Sequence, residues 1–385
     1  MKFLRVYGKH FLRVLLHIFY IFPIKNNRLI FNSMMWKQYS CNPKYITEYL
    51  LNKYPNQFEI VWAFVKPDQY DYLKEKGIQI CKARSLTYYF YRLTSKVSIC
   101  NATMGSEVPP RKGQYRINTW HGGGGGYKKT DYSSTDSYWP RKEMSETDLF
   151  CASSKTSLEN TVRKAFCHSG DVFLGTPRND VFVNGCNQDM KQVIHDYFKI
   201  ENEIHIALYA PTYREGKDVY HYSDTYDYGL DYKKLYHALC NRFGGEWMIA
   251  VRYHNRVSHY ELPQIPMVVD ATGYLDMQEL MLGVELMITD YSSSLWDFSF
   301  SGKPCFLFCN DLDEYIQKRG FNKPIEEWGF PIARSNEELN DLICNWSEAE
   351  YHQSMDNQHI INGSFEDGNA TERLCEIIYN KCIQS

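Results

Sequence analysis

The chain has 385 residues, too long for one ordinary core and suited to two domains of roughly 150–200 residues each. Apolar residues at 44% and charged residues at 23% exclude a disordered, collagen-like or low-complexity chain. A formal net charge of -3 excludes the basic footprint of a nucleic-acid-binding domain, so no nucleic acid is expected as partner.

The charge is unevenly placed. Between Met1 and Thr47 stand eight basic residues (Lys2, Arg5, Lys9, Arg13, Lys25, Arg28, Lys37, Lys44) and no Asp or Glu, leaving 35 basic against 46 acidic residues elsewhere. Within Phe3–Ile24, Lys2, Arg5, Lys9, Arg13 and His17 recur at helical spacing in an otherwise apolar segment. A spanning helix needs about 20 predominantly apolar residues, and Arg13 with His17 would sit mid-span. Pro23 and Lys25 follow in place of a small-residue cleavage site. The expectation is an amphipathic helix over 1–25 lying on an anionic membrane surface, its basic stripe towards the headgroups. The alternative is a first helix packed on its own domain with snorkelling Lys and Arg stems.

Residues 29–35 and 58–65 read as buried strands flanking a helix at Pro43–Lys53, which is βαβ grammar. Strands at Ile78–Cys81, Val97–Asn101 and Tyr115–Thr119 follow, with a helix at Leu86–Thr94. Further strands are expected at Leu149–Ala152 and Asp171–Leu174, with a helix at Lys155–Phe166. The alternation restarts at His205–Tyr209 and runs through Glu246–Arg252, Met267–Asp270, Leu286–Thr289 and Pro304–Cys309, with helices at Tyr232–Phe243, Met277–Leu282 and Ser294–Phe300. A closing helix is expected at Ala370–Ile383. The division is therefore 26–196 and 197–385, two α/β domains. Gly216–Gly229, with four Tyr and three Asp, reads as an exposed loop. The twelve cysteines form no CxxC pair and read as reduced core thiols.

Three segments carry chemistry. Asn118-Thr119-Trp120-His121 runs into five glycines, Gly122 to Gly126, then Tyr127-Lys128-Lys129. A strand ending in an imidazole and a side-chain-free loop admits a substrate closely and offers a base that titrates near neutrality, so His121 is the candidate general base. Ile288-Thr289-Asp290-Tyr291-Ser292-Ser293-Ser294 takes a strand into three serines that open a helix, where amide N–H groups and hydroxyls suit phosphate. Arg252-Tyr253-His254 places a cation and a second imidazole after another strand, suited to a diphosphate leaving group. Tyr209–Arg214 and Gly175–Asp180 are turn segments after strands, each delivering an arginine, Arg214 and Arg178.

This set resembles the CDP-glycerol glycerophosphotransferase family, the teichoic-acid polymerases and primases of Gram-positive bacteria. The matches run in order: Asn42-Pro43-Lys44, Thr119–Gly122, Gly175–Asp180, Tyr209–Arg214, Arg252–His254, Ile288–Ser294 and Lys303–Tyr315. The resemblance implies an α/β GT-B-like fold of two Rossmann-like domains: an acceptor-side domain, then a CDP-donor domain. It implies transfer of glycerol phosphate or another polyol phosphate from a CDP-polyol donor to a hydroxyl of a lipid-linked glycan, releasing CMP, at the cytoplasmic face of the membrane. His121 resembles the family's base and His254 its second histidine. Asp290, Ser292, Ser293 and Ser294, with Arg252 and Arg214, would hold the donor diphosphate. Gly122, Gly123, Lys128, Arg178 and Asp180 would form the acceptor-side loops. The family commonly has Thr-Pro-Leu-Lys after Gly122, where this chain has Gly123–Gly126, which leaves the acceptor open. No cofactor motif and no metal-spaced Asp-x-Asp pair stands in these loops, and Mg²⁺ is left open. Two rivals remain: a GT-B glycosyltransferase using a nucleotide sugar, and a non-catalytic assembly factor.

Overall fold

The computed structural model describes residues 2–123, 138–185, 188–214, 228–254, 257 and 260–383. The chain divides into two units, one comprising Met1–His121, Thr130–Asp180 and Phe365–Ser385, the other Gly122–Lys129 and Val181–Ser364.

The first unit is built on a seven-stranded parallel sheet. Its strands are β1 (Lys25–Asn32), β2 (Glu59–Phe64), β3 (Gln79–Lys82), β4 (Ser95–Cys100), β5 (Tyr115–Asn118), β6 (Leu149–Ala152) and β7 (Asp171–Leu174), in the order β3-β2-β1-β4-β5-β6-β7. Parallel sheets are covered on both faces, which is why these strands read as continuous apolar runs. Alternate residues serve opposite clusters. Leu29, Phe31, Trp62 and Phe64 pack with Ile46 and Leu50 of helix Cys41–Lys53 and with Leu374 and Ile378 of helix Ala370–Ile383. Ile30, Val61 and Ala63 pack instead with Tyr88 and Leu93 of helix Leu86–Thr94 and with Leu16.

The second unit repeats the plan with six parallel strands: β8 (His205–Tyr209), β9 (Trp247–Val251), β10 (Val268–Asp270), β11 (Leu286–Thr289), β12 (Cys305–Phe308) and β13 (Ile332–Ala333). Their order is β10-β9-β8-β11-β12-β13. Both sheets reverse direction beside their first strand, at β1/β4 and at β8/β11, and in such folds ligands bind beyond the strand C-termini at that reversal. The two-residue β13 and the helices Leu312–Lys318, Asn336–Cys344 and Glu348–Asn362 were not expected from the sequence. Over Lys155–Phe166 the expected helix is only Lys155–Ser157, continued by wider π-type turns at Leu158–Ala165.

Two boundaries differ from the 196/197 division. Helix Gln188–Phe198 belongs to the second unit, where Ile194 joins the core. It lies so close to helix Met277–Gly283 that a Cβ on Gly283 would meet Ile194 Cγ1 at 2.3 Å. The last residues return to the first unit: Ala370–Ile383 covers its sheet, and Asp180 caps that helix by accepting from the Ala370 and Thr371 amides at 3.0 and 2.7 Å.

The N-terminal helix, Lys2–Leu15, corrects the expected stripe. Arg13 faces inward, pairing with Glu146 at 2.5 Å and donating to the Ser106 carbonyl at 2.6 Å. Lys9 donates to Ser106 Oγ at 2.9 Å, and burial lowers its pKa. Tyr7, Phe11, Val14, Leu15, Ile18, Ile21 and Phe22 are exposed, as are His10 and His17. The half-buried Glu146 carboxylate, which Lys142 and Arg116 also approach at 3.3 and 3.4 Å, draws Arg13 in.

Gly175 shows how tightly the C-terminal return is seated. Its φ is +114°, and a Cβ there would lie 3.0 Å from Ala370 Cβ and 3.4 Å from the Phe365 carbonyl. Gly175→Ala is expected to destabilise the first unit by about 1–3 kcal/mol, read as a lowered urea midpoint.

Candidate active site

In the first unit the site is assembled by the loops that follow β4, β5 and β7. Past β5, the Thr119 hydroxyl donates to the Cys100 carbonyl at 3.0 Å, and Trp120 adopts a positive φ of 53° with its amide donating to Asn118 Oδ1. That turn aims His121 back towards the end of β4, where its Nδ1 meets the Asn101 carbonyl at 2.6 Å. A carbonyl can only accept, so Nδ1 carries the proton and the neutral ring keeps its lone pair on Nε2, as a general base requires. The Trp120 ring lies 4.4 Å from the imidazole. Asn101 is itself fixed, accepting from the Met34 amide at 2.8 Å and donating to Ser33 Oγ at 3.0 Å.

A residue quoted in the sequence only as a helix opener, Asn42, ties these loops together. Its Nδ2 donates to the Thr119 and Trp120 carbonyls at 3.2 and 3.0 Å, and its Oδ1 accepts from the Arg178 amide at 2.9 Å. Arg178 and Asp180 are buried and serve this scaffold rather than an open loop: Arg178 Nη1 lies 3.6 Å from Cys41 Sγ, and Asp180 caps the last helix. Glu366, which sequence reading missed, holds the same turn through the Thr176 amide at 3.0 Å and Asn179 Nδ2 at 3.1 Å. Gly122 and Gly123 follow His121, the second buried. Lys128, Gly124–Gly126 and residues 216–227 of the tyrosine-rich loop lie outside the described residues.

In the second unit β8, β9 and β11 end together. Asp290 is buried, with 1% exposure, and accepts from the Thr212 amide at 2.9 Å, the Tyr291 amide at 2.5 Å and Arg214 Nη1 at 2.8 Å. Arg214 also pairs with Asp311 through Nε at 2.5 Å and donates to the Thr212 carbonyl, and its guanidinium lies 5.0 Å from the Tyr291 ring. Burial alone would depress this guanidinium, but the charges of Asp290 and Asp311 outweigh it and raise its pKa. These contacts give Asp290 and Arg214 partners within their own unit. The carboxylate would repel an anion, and the arginine is clamped between two carboxylates. Asp311, within the matched Lys303–Tyr315 segment, is the partner that sequence reading did not single out.

Arg252 reaches across to Leu275 and Met277, with Nη2 3.3 Å from the Leu275 carbonyl, and burial lowers its pKa to about 10. It stays charged at neutral pH. His254 follows β9 with its ring 4.8 Å from that of Tyr213, so the second imidazole and the loop after β8 are neighbours. Ser292, Ser293 and Ser294 are half-buried at the end of β11, with Ser292 Oγ 2.8 Å from Ser294 Oγ and accepting the Ser294 amide at 3.3 Å. Among the described residues no group of three or more His, Cys, Asp or Glu is placed to hold a metal ion.

Asp290→Ala leaves Arg214 to Asp311 but takes the acceptor from the Thr212 and Tyr291 amides, and is expected to destabilise the second unit by roughly 1–3 kcal/mol in denaturant unfolding. Ser293→Ala should leave the midpoint within about 0.5 kcal/mol, because Ser293 makes no side-chain cap hydrogen bond to the helix it precedes.

Comparison with known proteins agrees with these units and motifs. The family model described as CDP-glycerol:poly(glycerophosphate) glycerophosphotransferase matches residues 14–380. The teichoic acid poly(glycerol phosphate) polymerase of Bacillus subtilis is 29% identical over 345 residues, covering 86% of this chain and 45% of that protein. The Staphylococcus epidermidis polymerase of the same name is 27% identical, covering 92% and 51%, so the chain spans about half the length of these two relatives. The teichoic acid glycerol-phosphate transferase of Staphylococcus aureus is 26% identical over 92% of this chain and 93% of its own. Among solved structures, the wall teichoic acid polymerase TagF superposes with a TM-score of 0.83 at 25% identity, covering 100% of this chain and 96% of that one. The GT-B-like fold expected from the motifs is thus matched, and the chain belongs to the CDP-glycerol:poly(glycerophosphate) glycerophosphotransferase family.

Proposed function

We propose that the protein transfers a polyol phosphate, glycerol phosphate or a relative such as ribitol phosphate, from a CDP-activated donor to a hydroxyl of a membrane-linked glycan in teichoic-acid or capsule synthesis. The observation that carries this reading is the His121 imidazole, held by the Asn101 carbonyl in the tautomer that leaves a lone pair on Nε2. Nε2 takes the proton of the acceptor hydroxyl. The oxygen forms a bond to the phosphorus that bears the polyol, and the bond from that phosphorus to the bridging oxygen breaks, so that CMP departs with the electron pair. His254, Arg252 and the hydroxyls of Ser292–Ser294 act on the departing phosphate, where preorganised donors stabilise developing charge. The reading needs no metal, and Mg²⁺ at the diphosphate stays compatible with it. A TagF variant soaked with CDPG matches this chain at a TM-score of 0.81 and 27% identity, which supports a CDP-polyol as donor here.

The same reading places the protein at the cytoplasmic face of the membrane as a peripheral enzyme. No helix among the described residues is long and apolar enough to cross a bilayer. The outward apolar side chains of the N-terminal segment, Phe11, Val14, Ile18 and Ile21 among them, suit shallow insertion beneath the headgroups of an anionic surface, where a lipid-linked acceptor is presented.

Two outcomes are expected. Purified protein should release CMP from CDP-glycerol or CDP-ribitol only when a lipid-linked glycan acceptor is present, and His121→Ala should lower that rate by about 10²–10⁴-fold while the unfolding midpoint is kept. UDP release from a nucleotide sugar instead would favour the glycosyltransferase. In vesicle sedimentation, the double substitution Phe11→Asp with Ile18→Asp should lower binding to anionic liposomes at least tenfold, since it removes two outward apolar anchors and adds two like charges.

A further inference from the structure

Beneath the turn that supports His121 lies a small buried chamber lined by charged side chains that the transfer reaction does not use. It sits on the face of the first sheet that carries Ile30 and Val61. Arg92, Ser98, Arg116 and Glu143 supply its polar lining, Cys100 and Met104 part of its apolar wall, and its volume is about 10 Å³. All four polar residues are buried: Arg92 is 1% exposed, Ser98 2%, Arg116 7% and Glu143 8%.

The hydrogen-bond balance inside the chamber is one-sided. Arg92 Nε, Arg92 Nη1 and Arg116 Nε have no protein acceptor, and neither does the Ser98 hydroxyl a partner. The three guanidinium nitrogens carry four N–H groups and can only donate. Glu143 does not answer them, because its oxygens accept from the Thr103 hydroxyl at 2.6 Å and the Met104 amide at 2.5 Å. Arg116 spends its remaining nitrogens on Glu146 at 3.4 Å and on the Val108 carbonyl at 3.1 Å. A chamber of this volume holds one water-sized particle. A single water accepts two hydrogen bonds and would leave two buried N–H groups unmet, whereas a monatomic anion accepts all four and the hydroxyl besides. Burial and the neighbouring Arg92 charge lower the Arg116 pKa to about 9, even with Glu146 and Glu143 acting against them. An anion between the two guanidiniums relieves both effects.

We propose that this chamber is a structural halide site, with chloride bound between the Arg92 and Arg116 guanidiniums and the Ser98 hydroxyl. Phosphate and carboxylates are too large for it. The site clamps residues 103–105, and Asn101 just before them offers the carbonyl that fixes His121.

The test uses the whole chain, exchanged into sodium gluconate. Its thermal midpoint is followed as chloride or bromide replaces gluconate at constant ionic strength, and crystals soaked in sodium bromide are examined for anomalous scattering. The expected result is a saturable rise of about 2–4 °C with either halide and a bromide peak between Arg92 and Arg116. Arg92→Met should abolish the halide-specific rise; if that variant does not fold, the wild-type titration and the bromide peak decide alone. A midpoint that does not change when halide replaces gluconate, or a rise with no bromide peak in the chamber, overturns the proposal.

Discussion

Each unit depends on one buried polar side chain that binds separate strand-end loops to one another. In the first it is the Asn42 carboxamide, which reaches the Thr119 and Trp120 carbonyls and the Arg178 amide. In the second it is the Asp290 carboxylate, which collects the Thr212 and Tyr291 amides and Arg214. Parallel sheets bring many loops to one edge but do not fix their conformations. A side chain with several hydrogen-bonding positions can do so, because leaving any one of those buried groups unmet costs roughly 1–3 kcal/mol. The placing of His121 is inherited from this fixing: the Trp120 turn, at its positive φ, has both its carbonyl and that of Thr119 held, and His121 is the next residue.

The N-terminal helix illustrates how one amphipathic pattern admits two orientations. Spacing alone places the cations on one stripe without saying whether that stripe meets lipid or protein. For Arg13 it meets protein: the Glu146 carboxylate and the Ser106 carbonyl take its guanidinium. With Lys9 and Arg13 turned inward, aromatic and aliphatic residues stand outside, and an exposed apolar surface of that kind marks an interaction site. The proposed membrane attachment therefore rests on apolar insertion, with Lys and Arg securing the helix to its own domain.

Much of the fold was legible because both sheets are buried on two faces and their strands are unbroken apolar runs; Leu149–Ala152, His205–Tyr209 and Leu286–Thr289 were read to the residue. What escaped had weak patterning. Strand β13 is two residues long, and helix Glu348–Asn362 buries Tyr351, Met355, Gln358 and Asn362 while exposing Ile360 and Ile361, so hydrophobic spacing gave no signal there. The destination of Ala370–Ile383 was hidden as well, because sequence distance does not report that a terminal helix crosses back to the first sheet. In the site, residues on the strand-end motifs could be found, but their roles could not. Asp290, Arg214 and Asp180 look like ligand groups in a motif and also hold protein partners in the structure, among them Asp311 and the Ala370 amide, which are remote in sequence. Glu366 and Asn101 carried no motif signal at all.

The central claim is that the bond broken lies between the bridging oxygen and the phosphorus bearing the polyol. It is tested most directly by giving the enzyme CDP-glycerol labelled at that phosphorus, together with a lipid-linked acceptor, and locating the label afterwards. The account predicts label in the acceptor glycan and unlabelled CMP in solution. Label retained in a released nucleoside diphosphate would mean attack at carbon and would contradict it.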